Sequence, residues 1–214
     1  MKLLIATRNP DKLKEFRQIL GSINYQLLSL DQIKSIPQDF DVQETGKTFK
    51  ANAVLKAKTY GNKAQTLTLA DDSGLIIDNL PDQLEVNSAK FAQGNYPQAQ
   101  KKIIHLLKHL PPSKRQAHYQ IYLALYNSQT KQLNTFSAQC HGQIAKKPQG
   151  QHGFGYDPIF FSPALNKTFG QASQTEKNQV SHRAKALKKL IQFLSPANTS
   201  NPANPKAAAI SKLF

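Results

Sequence analysis

Two adjacent carboxylates, Asp71 and Asp72, follow an apolar stretch of the chain and stand directly before Ser73-Gly74. On a strand, neighbouring side chains point to opposite faces, whereas in a turn before a glycine one carboxylate can reach a cleft. Carboxylate oxygens are the ligands that Mg²⁺ prefers, especially alongside phosphate oxygens. The pair therefore indicates either a magnesium site or an Asx turn that closes a hairpin.

Glu44 precedes a predicted helix, and Lys56 lies within that helix. Glu44 is either a second metal-binding acid or an acid favoured by the dipole of the helix N-terminus. Lys56 comes seven residues after Phe49 and flanks the apolar face of the helix. Its stem either lies along the edge of that face, with the ammonium in water, or carries the ammonium to an anion.

A sharp loop over residues 7–12 joins the first predicted strand to the first predicted helix. Asn9 is a suitable N-cap and Pro10 a suitable first helical residue. The amides of a helix N-terminus can bind anions, and Lys12 would add a positive charge there. The segment has no GxxxxGK[ST] motif, so it is either an ordinary capped helix start or an anion site other than a Walker loop.

The second half of the chain contributes cations and aromatic rings. Arg183 opens an apolar stripe that continues to Leu194, which puts its guanidinium at the inner edge of a helix N-terminus, beside His182. His182 is either a capping or packed residue or part of an anion site. The turn GFGYDP over residues 153–158 has rings that either pack inward or support a nucleobase. Together with the acids, this set fits a magnesium–nucleotide site.

Strands and helices must position these residues, and their predicted order along the chain indicates a mixed α/β fold. Predicted strands span, in chain order, residues 2–6, 26–30, 66–70, 75–77, 119–125 and 132–142. The third and fourth flank an acidic turn, and the last two form an antiparallel hairpin. Predicted helices span residues 10–20, 46–60, 96–109 and a segment that starts near Ser181. Gly21, Gly61 and Pro111-Pro112 are expected to end the first three helices.

The composition limits the class of protein. With 214 residues, 39% hydrophobic and 19% charged, the chain can bury a core, in one domain or two closely packed lobes. The net charge of +15 favours an anionic partner, whether nucleic acid, acidic membrane or phosphorylated small molecule, or simply provides a solvated basic surface. No apolar run is long enough to span a membrane.

The same reasoning predicts a cytoplasmic location. The apolar run near the N-terminus is too short for a secretory signal. The single cysteine, Cys140, excludes an internal disulfide and a cysteine-based zinc site. Residues 195–214 are rich in Pro, Ala, Asn and Ser, and we expect a flexible C-terminal tail there.

The chain resembles the inosine triphosphate pyrophosphatases, which hydrolyse nonstandard purine nucleoside triphosphates to the monophosphate and pyrophosphate. The segments that carry the resemblance are LLIATRNPDKLKEF, ETGKTFKANAVLKAK, LADDSGL, NSAKF, GFGYDPIF and EKNQVSHRAKAL. They occur in the family's order and cover nearly the whole chain to about residue 194. The resemblance implies an elongated, two-lobed α/β fold with a long central mixed sheet and a cleft between the lobes. It also implies one catalytic domain over residues 1–194, in a homodimer.

The resemblance implies roles for individual residues. Asp72 would bind Mg²⁺ and act as the general base, and Glu44 would be the second metal-binding acid. The residues expected to bind ITP, dITP or XTP are Thr7, Arg8, Asn9, Pro10, Asp11, Lys12, Lys56, Ser73, Phe154, Gly155, Tyr156, Asp157, Lys177, His182 and Arg183. Neither a membrane nor a nucleic acid is required for this activity.

The chain departs from the family pattern in places. Arg8 stands where members often have glycine, residues 80–87 replace a stretch rich in Gly and Pro, and Lys90 stands in place of arginine. Two other functions stay open. A pyrophosphatase for pyrimidine or modified nucleotides would differ in its substrate panel. A basic nucleic-acid-binding protein would show strongly salt-dependent binding and no need for Asp72.

Overall fold

The computed structural model describes residues 1–21, 23–80 and 91–195. The tail predicted to be flexible, apart from Ser195, lies outside these residues, and so do Lys90 and most of the departure at 80–87. The chain divides into two compact units. The first contains Met1–Asp72, Tyr122–Ser137 and the described residues from Ala186 onward; the second contains Ser73–Ile121 and Ala138–Lys185.

The described residues form an α/β structure with a mixed seven-stranded sheet, which confirms the predicted fold class. The strands are β1 Lys2–Ile5, β2 Gln26–Ser29, β3 Leu67–Ile77, β4 Gln116–Asn127, β5 Leu133–Ile144, β6 Phe160–Ser162 and β7 Lys167–Thr168. The helices are α1 Pro10–Leu20, α2 Phe49–Ala64, α3 Tyr96–Leu106, α4 Gln174–Val180 and α5 His182–Leu194. Short 3₁₀ turns occupy Leu30–Gln32, Pro112–Lys114 and Asp157–Ile159.

Strand order in the sheet is β2-β1-β3-β4-β5-β6-β7. β1 pairs in parallel with both β2 and β3, whereas β6 pairs antiparallel with β5 and β7. The predicted hairpin of β4 and β5 is present: Asn127 N–H donates to Gln132 O at 2.9 Å at one end, and Ile144 N–H donates to Arg115 O at 2.8 Å at the other.

The parallel strands explain how the first unit gathers its polar groups. Successive βα connections place β2 on one side of β1 and β3 on the other, with Leu4 opposite both Leu28 and Thr68. Strand order reverses at such a point, and the carboxyl ends of the strands leave a crevice where ligands bind in open α/β sheets. The loop over residues 7–12 leaves β1 at that edge, and its Lys12 contacts Asp71 of β3.

Each unit has its own apolar core. In the first unit, α2 places Ala53, Ala57 and Tyr60 against β-strand residues that include Leu4 and Tyr126. In the second, residues such as Ile103, Phe160 and Phe169 are fully buried. None of the described helices has the length and apolar composition needed to cross a bilayer.

The acidic turn predicted between two short strands is wrong. β3 runs without interruption over eleven residues and carries both Asp71 and Asp72 inside the strand. Both of its faces are covered, since Leu69 and Leu75 on one face and Thr68 on the other are each 0% exposed. The sequence could not show this because a strand buried on both faces loses the alternation that identifies strands.

Two predicted helix ends are wrong as well. Helix α2 continues through Gly61 and ends at Ala64, before Gln65 in the left-handed conformation at φ 49°. Helix α3 ends at Leu106 rather than at 109, and Leu106 is 41% exposed. The short elements β6, β7 and α4, of three, two and seven residues, were not predicted. They are too short to show a period.

Position 61 lies within helix α2 and is occupied by glycine because a larger residue there would collide with the core. A Cβ atom at this position would stand 2.8 Å from Cδ1 of Tyr126. Alanine is normally the better helix residue, by about 1 kcal/mol, but overpacking a filled core costs about 1–3 kcal/mol. We therefore expect Gly61→Ala to lower the free energy of unfolding, measured by urea denaturation.

The matched control for this prediction is the same substitution in a Tyr126→Leu background, where the ring is absent. There, Gly61→Ala should cost less or stabilise the protein. Equal losses in both backgrounds would show that the ring is not the cause.

Candidate active site

Five charged side chains meet around β3 in the first unit. We call Lys12, Glu44, Lys56 and the pair Asp71-Asp72 the acid–lysine cluster. Because neighbouring residues of a strand face opposite ways, the two aspartates have different partners. Lys12 Nζ lies 2.9 Å from Asp71 Oδ2, and Lys56 Nζ lies 3.9 Å from Asp72 Oδ1.

Lys56 links the two acids that the sequence analysis assigned to magnesium. Its ammonium donates to Glu44 Oε1 at 2.6 Å while facing Asp72, and its side chain is only 12% exposed. Burial by itself lowers the pKa of this ammonium, but the charges of Asp71, Asp72 and Glu44 outweigh burial and raise it. Lys56 is therefore a charged group inside the cluster, and its ammonium does not extend into solvent.

The carboxyl group of Asp72 has a raised pKa. Burial raises its pKa to about 6 from the ordinary value of 3.8; the charge of Glu44 raises it too, while Lys56 and a hydrogen bond from Asn52 lower it. A carboxylate with a pKa close to neutrality can accept a proton and release it again near physiological pH. This is the property that a general base requires.

Asn52 is a site residue that the sequence analysis missed. It is 1% exposed, its Nδ2 donates to Asp72 Oδ2 at 3.0 Å, and its Oδ1 accepts from Gly46 N–H at 2.7 Å. One amide thus fixes the Asp72 carboxylate and the backbone two residues after Glu44. The available signal was an asparagine directly before the buried Ala53 on α2. Gly46 permits this contact, since a Cβ there would lie 2.5 Å from Asn52 Oδ1.

The loop over residues 7–12 is organised largely by its own side chains. Asn9 Oδ1 accepts from the amides of Asp11 and Lys12 at 2.9 and 3.1 Å, which confirms the predicted N-cap. Thr7 Oγ1 accepts from Asn9 N–H at 3.2 Å. Two amides of the helix start are therefore bonded to the cap, and Lys12 adds a positive charge next to Asp71.

Arg8 belongs to the same loop, but its side chain contacts residues 31–40 and not the acid–lysine cluster. Its guanidinium donates to Asp31 Oδ1 at 2.9 Å and to the carbonyls of Pro37 and Phe40 at 2.8 and 3.1 Å. Pro10 and Asp11, the remaining residues of the predicted phosphate loop, are exposed.

The acids of the first unit fit a magnesium ion chemically. Glu44 and Asp72 present hard oxygen donors to one shared cation, the ammonium of Lys56, and the charge of Glu44 raises the pKa of Asp72. A divalent cation would relieve that repulsion. Among the described residues no group of three or more His, Cys, Asp or Glu could hold a metal. Mg²⁺ commonly takes one or two carboxylates and completes its shell with phosphate oxygens and water.

The second unit holds the other predicted residues. We call Phe154, Asp157, Lys177, His182 and Arg183 the aromatic–basic cluster; all but Phe154 are 2–4% exposed. Asp157 is its centre. The carboxylate accepts from Lys177 Nζ at 2.6 Å and from Phe154 N–H at 2.9 Å.

Ring contacts hold the cations of this cluster in place. Lys177 Nζ lies 4.7 Å from the centroid of the Phe154 ring, and the Arg183 guanidinium lies 5.8 Å from it. Arg183 also donates to Ser73 Oγ at 3.3 Å. His182 stacks on Tyr119, with ring centroids 4.8 Å apart and planes 9° apart. Tyr119 was not predicted to be part of the site. Its hydroxyl donates to Asp157 at 3.3 Å.

The two aromatic residues of the glycine-rich turn differ in exposure. Tyr156 is 3% exposed and packs edge-on against Tyr96, with centroids 5.3 Å apart. Gly155, at φ 66°, accepts a hydrogen bond on its carbonyl from Gln100 at 2.7 Å. Phe154 is half-buried and is the ring that the cations face. Of the two interpretations, inward packing is correct for Tyr156, and a base platform remains a prediction for Phe154.

Known proteins match this chain over most of its length. A sequence model of the Ham1 family matches residues 3–193. A dITP/XTP pyrophosphatase of Halalkalibacterium halodurans is 40% identical over 194 residues, covering 89% of this chain and 97% of that protein. The dITP/XTP pyrophosphatase of Bacillus subtilis is 39% identical over 193 residues, covering 89% and 96%.

Solved structures agree with the sequence matches. The Ham1 protein of Staphylococcus aureus superposes with a TM-score of 0.79 at 32% identity and covers 91% of this chain and 98% of its own. A HAM1 protein from Coxiella burnetii gives 0.80 at 32% identity, with the same coverage. These matches confirm the family resemblance and the fold.

The raised pKa of Asp72 makes a prediction about stability. In the unfolded chain the carboxyl ionises near pH 3.8, and in the folded protein near pH 6. The folded state therefore holds the proton longer, and the contribution of this group to stability is lost as pH rises from about 4 to 6. The difference between these two pKa values corresponds to at most about 3 kcal/mol in the free energy of unfolding.

We therefore expect Asp72→Asn, which has no such carboxyl, to gain stability relative to the unsubstituted protein between pH 4 and pH 7. Urea denaturation of both proteins at the two pH values measures this, since other titrating groups largely cancel in the difference. A difference that does not change with pH would contradict the raised pKa.

Proposed function

We propose, since the chain belongs to the Ham1 family, that it is a pyrophosphatase of nonstandard purine nucleoside triphosphates. It would hydrolyse ITP, dITP and XTP, in the presence of Mg²⁺, to the monophosphate and pyrophosphate. The observation that carries this proposal is the buried Asp72 carboxyl, with a pKa of about 6, held between Asn52 and Lys56. Relatives named dITP/XTP pyrophosphatase match this chain nearly end to end.

Asp72 acts as the general base in this proposal. Its Oδ2 is fixed by Asn52, so the carboxylate cannot rotate freely. It accepts a proton from a water whose oxygen attacks the α-phosphorus. The bond from that phosphorus to the bridging oxygen breaks, and pyrophosphate leaves. A carboxylate in this role contributes roughly 10²–10⁴-fold to the rate, and Asp71 on the opposite face keeps Lys12 in place.

Lys12 and Lys56 neutralise charge on the phosphates. Both are already held beside aspartates of β3, at 2.9 and 3.9 Å. Their positions are therefore set before a nucleotide binds, which is the condition for electrostatic catalysis of phosphoryl transfer.

Glu44 and Asp72 would hold the magnesium ion. Bound there, Mg²⁺ would supply charge withdrawal from the phosphate oxygens.

The aromatic–basic cluster binds the nucleoside in this proposal. Phe154 provides a face for the base, and Lys177 and Arg183 are arranged over that ring. Hypoxanthine and xanthine carry a hydrogen-bond acceptor at position 6, where adenine carries a donor. Donors from His182 or Arg183 would pair with the acceptor and oppose adenine. A buried donor left without a partner costs about 1–3 kcal/mol.

The cellular role follows from the substrates. An enzyme with this preference removes deaminated purines from the nucleotide pool, and we propose that it does so in the cytoplasm as a homodimer. The net charge of +15 favours the approach of anionic nucleotides.

A substrate panel tests the proposed function. With Mg²⁺ present, we expect pyrophosphate from ITP, dITP and XTP, little from ATP, GTP or pyrimidine triphosphates, and none once EDTA is added. Asp72→Asn should lower kcat by about 10²–10⁴-fold. Asp71→Asn is the matched control, because it removes a neighbouring carboxylate of the same strand and should cost less. Release of phosphate instead of pyrophosphate, or equal losses in both variants, would contradict the proposal.

Selectivity for the group at position 6 of the purine base tests the proposed role of the aromatic–basic cluster. Arg183→Ala should lower the ratio of kcat/KM for ITP over ATP by about tenfold to a hundredfold, because the donor that opposes adenine is lost. The ratio is measured within one variant, so any loss of folded protein cancels. Arg183→Lys keeps the charge and should retain part of the preference. An unchanged ratio in Arg183→Ala would assign the specificity to other residues.

A further inference from the structure

Arg8 is a residue whose geometry differs from the role implied by its position. It lies in the loop assigned to the triphosphate, yet its guanidinium donates to three acceptors of one other segment: Asp31 Oδ1, Pro37 O and Phe40 O. Three of its five N–H groups are thereby committed to the protein. Its Nε is buried and has no hydrogen-bond partner among the described residues.

The segment that Arg8 holds leads to Glu44. Residues 33–48 form a stretch with no helix or strand, and its internal backbone hydrogen bonds, such as Ile36 N–H to Ile33 O, join only near neighbours. Side chains must anchor it. Helix α2 supplies one set of anchors, since Tyr60 donates to Asp41 at 2.8 Å and Lys56 donates to Glu44 at 2.6 Å.

The bonds from Arg8 form the anchor on the other side. We propose that Arg8 is a positioning residue, which holds residues 31–46 and so keeps Glu44 beside Lys56, and that it does not contact the phosphates. This inference rests on the proposed function for the meaning of Glu44, but the contacts themselves are independent of it.

The contribution of the individual bonds can be ranked. Asp31 is 69% exposed, and an ion pair with an exposed partner contributes little. The two carbonyls lie within the irregular stretch itself, and hydrogen bonds from a charged donor to them are the stronger kind. A planar guanidinium can bond all three acceptors at once, whereas a lysine ammonium, a compact point charge, cannot match that fork. Arg8→Lys is therefore an informative variant.

Hydrogen–deuterium exchange of the nucleotide-free protein tests the clamp. We expect the amides of residues 31–46 to exchange at least about tenfold faster in Arg8→Met, since charged hydrogen bonds that close the segment are lost. Arg8→Lys should behave like Arg8→Met. Lys14→Met is the matched control: it removes one positive charge from an exposed position nearby on α1 and should leave exchange unchanged.

Kinetics of the same variants separate positioning from phosphate binding. A clamp that positions Glu44 predicts a loss mainly in kcat, nearly equal in Arg8→Met and Arg8→Lys. A phosphate ligand predicts a higher KM in Arg8→Met, near-normal kinetics in Arg8→Lys, and unchanged exchange, and this result would overturn the inference. If the unsubstituted protein released no pyrophosphate, the proposed function would fail, while the exchange experiment would still decide the clamp.

Discussion

Placing two carboxylates inside a strand that is covered on both faces is the constraint on which the first unit depends. Asp71 and Asp72 are 1% and 7% exposed, and burial of ionised groups is costly unless cations and hydrogen bonds surround them. Lys12 meets that need on one side of β3, and Lys56 and Asn52 meet it on the other. The raised pKa of Asp72 shows that compensation there is incomplete. Because burial still destabilises the ionised form, the Asp72 carboxylate binds a proton more readily than an exposed one.

The elements around β3 can be understood from this requirement. The loop after β1 must deliver Lys12, which is why a capped helix begins there at the point where strand order reverses. Helix α2 must deliver Asn52 and Lys56 on the face that also packs Ala53 and Ala57. The two elements also interact through charge, since Asp71 raises the pKa of Lys56 and Lys12 lowers the pKa of Asp72.

The second unit also contains a buried carboxylate, but different groups stabilise it. Asp157 is also buried, at 2%, but an ammonium at 2.6 Å and a backbone amide at 2.9 Å bond to its carboxylate directly. Lys177 and Arg183 then lie over the ring of Phe154. Cations held against an aromatic face and a short ion pair are rigid, which suits selective binding of a base. The first unit instead keeps a group that can change its protonation.

Short-range rules were sufficient for part of this protein. Asn9 and Pro10 define a helix start by their own chemistry, and the alternation from Tyr119 to Leu125 identifies a strand. Residue chemistry identified most of the candidate acids and cations, and six ordered motifs identified the family that implied their roles. The tertiary structure alone decided that Asp71 and Asp72 lie in a continuous strand and that α2 passes through Gly61. It alone connected Asn52 to Asp72 and turned Arg8 toward residues 31–40. These outcomes depend on partners that are distant along the chain, and local propensity carries no information about which buried groups will meet.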